Sequence, residues 1–240
     1  MQERQLSQAG EMRDGSNMGG GQMVAADFIM TPAVVFSENN AGGLGAGDAF
    51  CASLLDGLLL SSRGKGNPFK YGFIGDSDTH NAAASNEEFN YTGKFGIESD
   101  PKHRLNGFQG QPPAQIQQIR EFSSGGLAGV WAQENTRESI YDAMARKETF
   151  GTSGTHIKVR FFGGWDFSAA DVGGREFVQT GYARGVPMGG DLPAAAKGKA
   201  PSFMVWAIKD PLSGNLDRIQ IVKGWVEAGG AEHEKIYDVA

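Results

Sequence analysis

The chain has 240 residues, 40% hydrophobic and 21% charged, enough length and apolar content for one large globular domain or two small ones. A net charge of −6 and a pI near 5.3 argue against a broad phosphate-binding face, so nucleic acid is not an expected partner. The single cysteine, Cys51, rules out an internal disulfide framework and is read as a small buried hydrophobe on a helix.

Residues 1–45 are expected to form a flexible or irregular lead. They lack a sustained apolar period, GSNMGGGQM is Gly-rich, and only TPAVVF (31–36) has strand character. The polar start has no apolar signal-peptide core, and no stretch approaches the roughly 20 apolar residues of a membrane span. The expectation is a soluble chain without a span, its compartment undetermined. From Asp48 onward, Phe50, Leu54, Leu55, Leu58 and Leu59 recur at helical spacing, with Asp48 as N-cap and Gly64 as stop. A short strand, KYGFI, then runs into GDSDTHNAA. Residues 84–114 are polar, with scattered Gly and Pro, and are expected to be a long loop.

Pro113 opens a short predicted helix with Ile116, Ile119 and Phe122 on one face. In the next helix Asn135 and Glu138 form a capping-box pattern, and Ile140, Ala143 and Met144 supply the buried stripe. After Gly151 the pattern becomes β. In HIKVRFF, Ile157, Val159 and Phe161 alternate with His156, Lys158 and Arg160, which predicts a strand with one buried face and a solvated His156. SFMVWAI (202–208), RIQIVKGWV (218–226) and KIYDVA (235–240) complete an antiparallel set. The last pattern runs to Ala240 with no polar tail or turn after it, so the module is expected to be unfinished, that strand being an internal one or the natural protein continuing.

The chemistry-bearing cluster is FIGDSDTHNAA (73–83). On an extended backbone Asp76, Asp78 and His80 point one way and Ser77 and Thr79 the other. Carboxylate oxygens and an imidazole nitrogen are donors that suit a divalent cation, though further ligands would have to come from elsewhere. The same residue types also build turns through side-chain to backbone hydrogen bonds, and spacing alone leaves both readings open.

GDSDTH resembles the final metal-binding motif of the polymerase and histidinol phosphatase (PHP) superfamily. The runs NPFKYGFIGDSDTHNAA, GGLAGVWAQENTRESIYDAMARKETFGTSGTHIKVRFFGGWDF, GVPMGGDLP and KDPLSGNLDRIQIVKGWVEAGGAEHEKIYDVA resemble the bacterial domain-of-unknown-function 3604 family, over about residues 65–240. The resemblance implies an α/β fold, with residues 46–152 as the closing segment of a PHP-type β/α barrel and 153–240 as an antiparallel β-sandwich-like module. It implies metal-ligand roles for Asp78 and His80, with Zn, Mn or Mg as the ion and a small-molecule ester as substrate. Asp76 and Asn81 become supporting or substrate-facing candidates. Thr152 and Ser153, in the TSGT turn, either line the site or shape the entry to the β-rich module. The superfamily also uses an early His-x-His motif, and no His precedes His80 here. The expectation is therefore the C-terminal part of a longer hydrolase, its missing ligands supplied by an absent N-terminal region, or a non-catalytic binding module with a vestigial site.

GLGAGDAFCASLLDGL (43–58) is also similar to the Gly-rich turn of ribokinase-type kinases, and nucleotide binding there is the weaker alternative to a plain helix cap at Asp48. Glu134, Arg137 and Glu138 suit a helix N-terminus. His103 and His233 have no partners at ligand spacing, and Trp165, Trp206 and Trp225 are read as packing residues.

Overall fold

The computed structural model describes residues 5–9, 29–33, 46–77, 79, 86–90, 100–121, 124–194 and 198–240. Strands β1 (Gln5–Ala9) and β2 (Ile29–Ala33) precede helix α1 (Ala46–Ser62). Helices α2 (Pro101–Asn106) and α3 (Pro113–Glu121) follow, then β3 (Ala128–Val130), α4 (Arg137–Ala145) and β4 (Thr149–Gly151). The remainder is β5 (Lys158–Gly164), α5 (Ala169–Val172), α6 (Phe177–Arg184), β6 (Gly185–Pro187), β7 (Ser202–Ile208), β8 (Gln220–Val226) and β9 (Glu232–Asp238).

Two antiparallel sheets organise the second half. The first has strand order β1-β7-β5-β6 and the second β2-β8-β9. Val159, Phe161, Val205 and Ala207 of the first sheet share a buried cluster with Ile221 of the second and with Ile219, just before β8. On the opposite face of the first sheet, Phe162 and Met204 pack with Phe167, Val172 and Phe177 from the α5–α6 region. This two-sided burial explains the sequence. β7 reads as continuously apolar because both its faces are covered, and the period-two pattern of β5 holds to Phe161 and stops at Phe162, where α6 arrives. Gly181 permits that approach, since a Cβ there would lie 2.6 Å from the Phe162 ring.

The predicted helix from Asp48 is present but begins at Ala46, so Asp48 lies inside its first turn. Its stop is as read: Lys65 N–H reaches back to the Leu60 carbonyl at 3.0 Å, and Gly64 takes φ +73°. Leu54 and Leu58 are buried, and Leu55 packs against Gly224 of β8, which places α1 on the second sheet. β1 falls in the stretch read as an irregular lead, and β2 overlaps the start of TPAVVF, the segment there with strand character. They pair with β7 and β8 along sheet edges, and main-chain pairing at an edge requires no apolar period.

The long loop expected over 84–114 contains α2, capped by Asp100, whose carboxylate accepts from Lys102 N–H at 3.0 Å. In α4 the N-cap is Thr136 rather than Asn135, and its hydroxyl accepts from Ser139 N–H. Ala143 is fully buried but Met144 is half exposed, so the buried stripe is narrower than the sequence predicts. Among the described residues the chain is mixed α/β with small antiparallel sheets, and the strands do not close into a barrel. No helix among them is long and apolar enough to cross a membrane.

Candidate functional site

Three backbone runs meet where KYGFI ends: residues 71–77, the stretch 124–130 containing β3, and 147–153 containing β4. β3 and β4 pair antiparallel from Val130↔Thr149 to Ala128↔Gly151. Beyond the ladder, Thr152 N–H donates to the Leu127 carbonyl at 3.0 Å, and Leu127 N–H donates to the Thr152 hydroxyl at 2.9 Å. Gly126 N–H donates to the Asp76 carbonyl at 3.0 Å. The runs come this close because glycines stand at the crossing. A Cβ on Gly75 would lie 2.8 Å from the Leu127 carbonyl oxygen, and one on Gly151 would lie 2.7 Å from the Ile74 carbonyl carbon. A Cβ on Gly126 would run into the Thr152 carbonyl. None of the three has a positive φ, so the requirement is space rather than backbone conformation.

Asp76 and Thr152 are thus brought to either side of Gly126. Asp76 is exposed, and its carboxylate accepts from Ser77 N–H at 2.6 Å. The Ser77 and Thr79 hydroxyls lie 2.9 Å apart and Thr79 N–H donates to the Ser77 hydroxyl at 3.2 Å, a side-chain to backbone bond of the kind that builds a turn. Ser153 is exposed in the bend after Thr152. Asp78, His80 and Asn81 lie outside the described residues. Among the described residues, no group of three or more His, Cys, Asp or Glu side chains converges. The donor types of the motif, two carboxylates and an imidazole with hydroxyls beside them, fit a divalent cation in chemistry.

The family model described as protein of unknown function (DUF3604) matches residues 30–240. The chain belongs to that family. No curated protein and no solved structure matches it. The DUF3604 span starts earlier than the motif blocks at 65–240, so the GAGD sequence, α1 and most of β2 lie within it.

Within the DUF3604 span, the main feature the sequence did not disclose is a buried acid. Glu148 immediately precedes β4 and is 2% exposed. The Tyr182 hydroxyl donates to its carboxylate, and Arg146 Nη2 lies 3.4 Å away. Arg160 Nη1 stands 3.4 Å from the same hydroxyl and its guanidinium stacks over Trp131 at 3.9 Å. Burial, then the Glu148 carboxylate, pushes the Tyr182 phenol above its usual range. In RKETF the acid stands among charges and reads as solvated, so only the fold reveals its burial.

His156 is a correction. β5 begins at Lys158, so His156 precedes the ladder, in a tight turn closed by Ile157 N–H to the Thr155 carbonyl at 2.8 Å. It is half-buried, and its Nε2 lies 2.9 Å from the Asn86 carbonyl oxygen. Glu134, Arg137 and Glu138 are exposed around the start of α4. His103 packs on Phe108, and His233 stacks on Trp225 at 5.1 Å with Glu227 3.1 Å from its Nε2. Trp206 packs against the Phe162 cluster.

Proposed function

We propose that this DUF3604 chain contributes to a metal-dependent hydrolase centre of the PHP-like type, acting on a phosphoester or related ester of a small molecule. The observation that carries the reading is the GDSDTH motif, whose first residues, Gly75 and Asp76, are held against the Thr152 turn, although the KYGFI run before it, read as a strand, joins no sheet among the described residues. In β/α barrels, side chains at the C-terminal ends of strands do the chemistry. On this reading residues 46–152 are barrel-derived and the facing sheets of the second half are a sandwich-like module. Asp78 and His80 hold the cation, Asp76 and Asn81 stand beside them, and the remaining ligands come from outside the motif. A divalent ion bound there supplies an acidified water and charge neutralisation for ester cleavage. Thr152 anchors the crossing beneath the motif through its hydroxyl and its backbone.

The test is the metal content of the wild-type chain beside Asp78→Ala and His80→Ala, after equilibration with Mn²⁺, Zn²⁺ or Mg²⁺ and removal of free ion. Stoichiometric metal lost in both variants supports the reading and directs a phosphoester screen. Metal absent from all three overturns it and leaves a non-catalytic binding module as the second reading.

A further inference from the structure

The β8–β9 hairpin sorts its charges by face. Alternation along paired strands sends Lys223 and Trp225 of β8, with His233, Lys235 and Tyr237 of β9, to one side, and Glu232, Glu234 and Asp238 to the other. Helix α1 packs on the acidic side, where Leu55 meets Gly224, the register partner of Glu234. The other side starts in the core, at Ile221 and Tyr237, and runs outward through Lys223 and Lys235 to Trp225 and His233. Lys235 is exposed, and Lys223, Trp225 and His233 are half-buried. In a chain of net charge −6, this face gathers positive charge.

Lys223 and Lys235 are direct register partners, a pairing of like charges that disfavours an antiparallel ladder. Each ammonium stands over the ring two positions along its own strand, Lys223 over Trp225 at 4.7 Å and Lys235 over Tyr237 at 4.9 Å. His233 stacks on Trp225, and its Nε2 lies 3.1 Å from Glu227. Burial, then Lys235, holds Lys223 below the usual lysine range, so the two charges sense each other. A ring contact orients an ammonium without consuming its three N–H donors.

We propose that this face of the hairpin is an anion site, where Lys223 and Lys235 together take a phosphate group, free or as the monoester of a small molecule. Two adjacent cations match a group that carries close to two negative charges, which a phosphate does and a carboxylate does not. The anion offsets the repulsion within the pair, and the rings beneath hold both ammonium groups toward it. The site uses no residue of the GDSDTH motif and stands whether or not the hydrolase reading holds.

The experiment titrates the full chain at low salt with inorganic phosphate, glycerol phosphate and acetate, followed by calorimetry. It compares wild type, Lys223→Gln, Lys235→Gln, Lys235→Arg and, as a control on α2, Lys102→Gln. Wild type should take up phosphate in preference to acetate. Each Gln variant of the pair should weaken phosphate by about two- to fivefold, the range of one exposed ion pair. Lys235→Arg, which keeps the charge, should retain binding, and Lys102→Gln should match wild type. Tighter binding of glycerol phosphate than of inorganic phosphate supports a site for an ester, and the reverse supports a site for the free ion. A wild type that takes up no phosphate overturns the proposal and leaves the rings as simple cover for two solvated lysines. Acetate bound as tightly as phosphate, unchanged binding in both Gln variants of the pair, or equal weakening in Lys102→Gln also overturns it.

Discussion

The Tyr182 hydroxyl, on α6, donates to the carboxylate of Glu148, which lies at the entry to β4. This bond ties the β3–β4 pair to the helix covering the first sheet. A carboxylate that is 2% exposed needs hydrogen-bond donors and positive charge, and Tyr182, Arg146 and Arg160 gather on it or on its partner. Tyr182→Phe removes the donor and leaves the acid in place, so it should cost about 1–3 kcal/mol in urea unfolding. Glu148→Gln keeps an acceptor for the phenol and should cost less. A Tyr182→Phe variant as stable as wild type would show that the acid is satisfied without it.

The glycine crossing gives a sharper contrast. Gly126→Ala drives a methyl into the Thr152 carbonyl, which is backbone and cannot swing away. It should destabilise by about 1–3 kcal/mol or prevent folding. Gly214, which has nothing within 4 Å of a new Cβ and no positive φ, is the control, and Gly214→Ala should be neutral or slightly stabilising. Thermal melts of the two variants beside wild type decide the matter. Equal melting temperatures would mean that the three runs do not pack this closely.

The residues that were readable from sequence and those that were not differ in where their partners lie. β5 and β7 to β9 follow from local alternation or apolar continuity, because burial of a strand face is written into its own residues. Gly64 was readable for the same reason, as the stop of its own helix. Gly75, Gly126 and Gly151 carry no local signal, since their close backbone approach involves partners 26 to 77 positions away. His156 was misread because alternation was carried two residues past the start of β5, and α2 was missed because PKHRLN has no apolar stripe, only its Asp100 cap and Pro101. Of the candidate site, the joining of Asp76 and Thr152 at one crossing is visible among the described residues, whereas Asp78, His80 and Asn81 lie outside them.

Acid titration should expose two anchoring carboxylates. Hydrogen bonds from the backbone N–H groups of His156 and Leu212 hold Asp210 below its usual range, and those from the backbone and side chain of Ser168, with help from Arg184, do the same for Asp171. A carboxylate with a depressed folded pKa contributes stability that is fully present above its unfolded value, about 4. That stability is lost as pH falls through the folded value. Between neutrality and pH 3, wild-type stability should therefore decline, and Asp210→Asn and Asp171→Asn should each decline less steeply from a lower start. Parallel curves for wild type and variants would remove these two groups as the source.

Thr152 separates a structural role from a site role. Its hydroxyl accepts from Leu127 N–H at 2.9 Å while its own N–H binds the Leu127 carbonyl, so the side chain completes the pairing just past the β3–β4 ladder. Thr152→Val keeps the shape but leaves the Leu127 N–H without its acceptor, and should cost about 1–3 kcal/mol. Thr152→Ser keeps the hydroxyl and should stay within about 1 kcal/mol of wild type, the loss expected of one methyl group. If Thr152 only anchors the crossing, metal content in the folded Ser variant equals that of wild type, and the Val variant loses metal in step with its loss of fold. Metal lost from a Val variant that remains folded would instead mean that the hydroxyl itself faces the bound ion or its water.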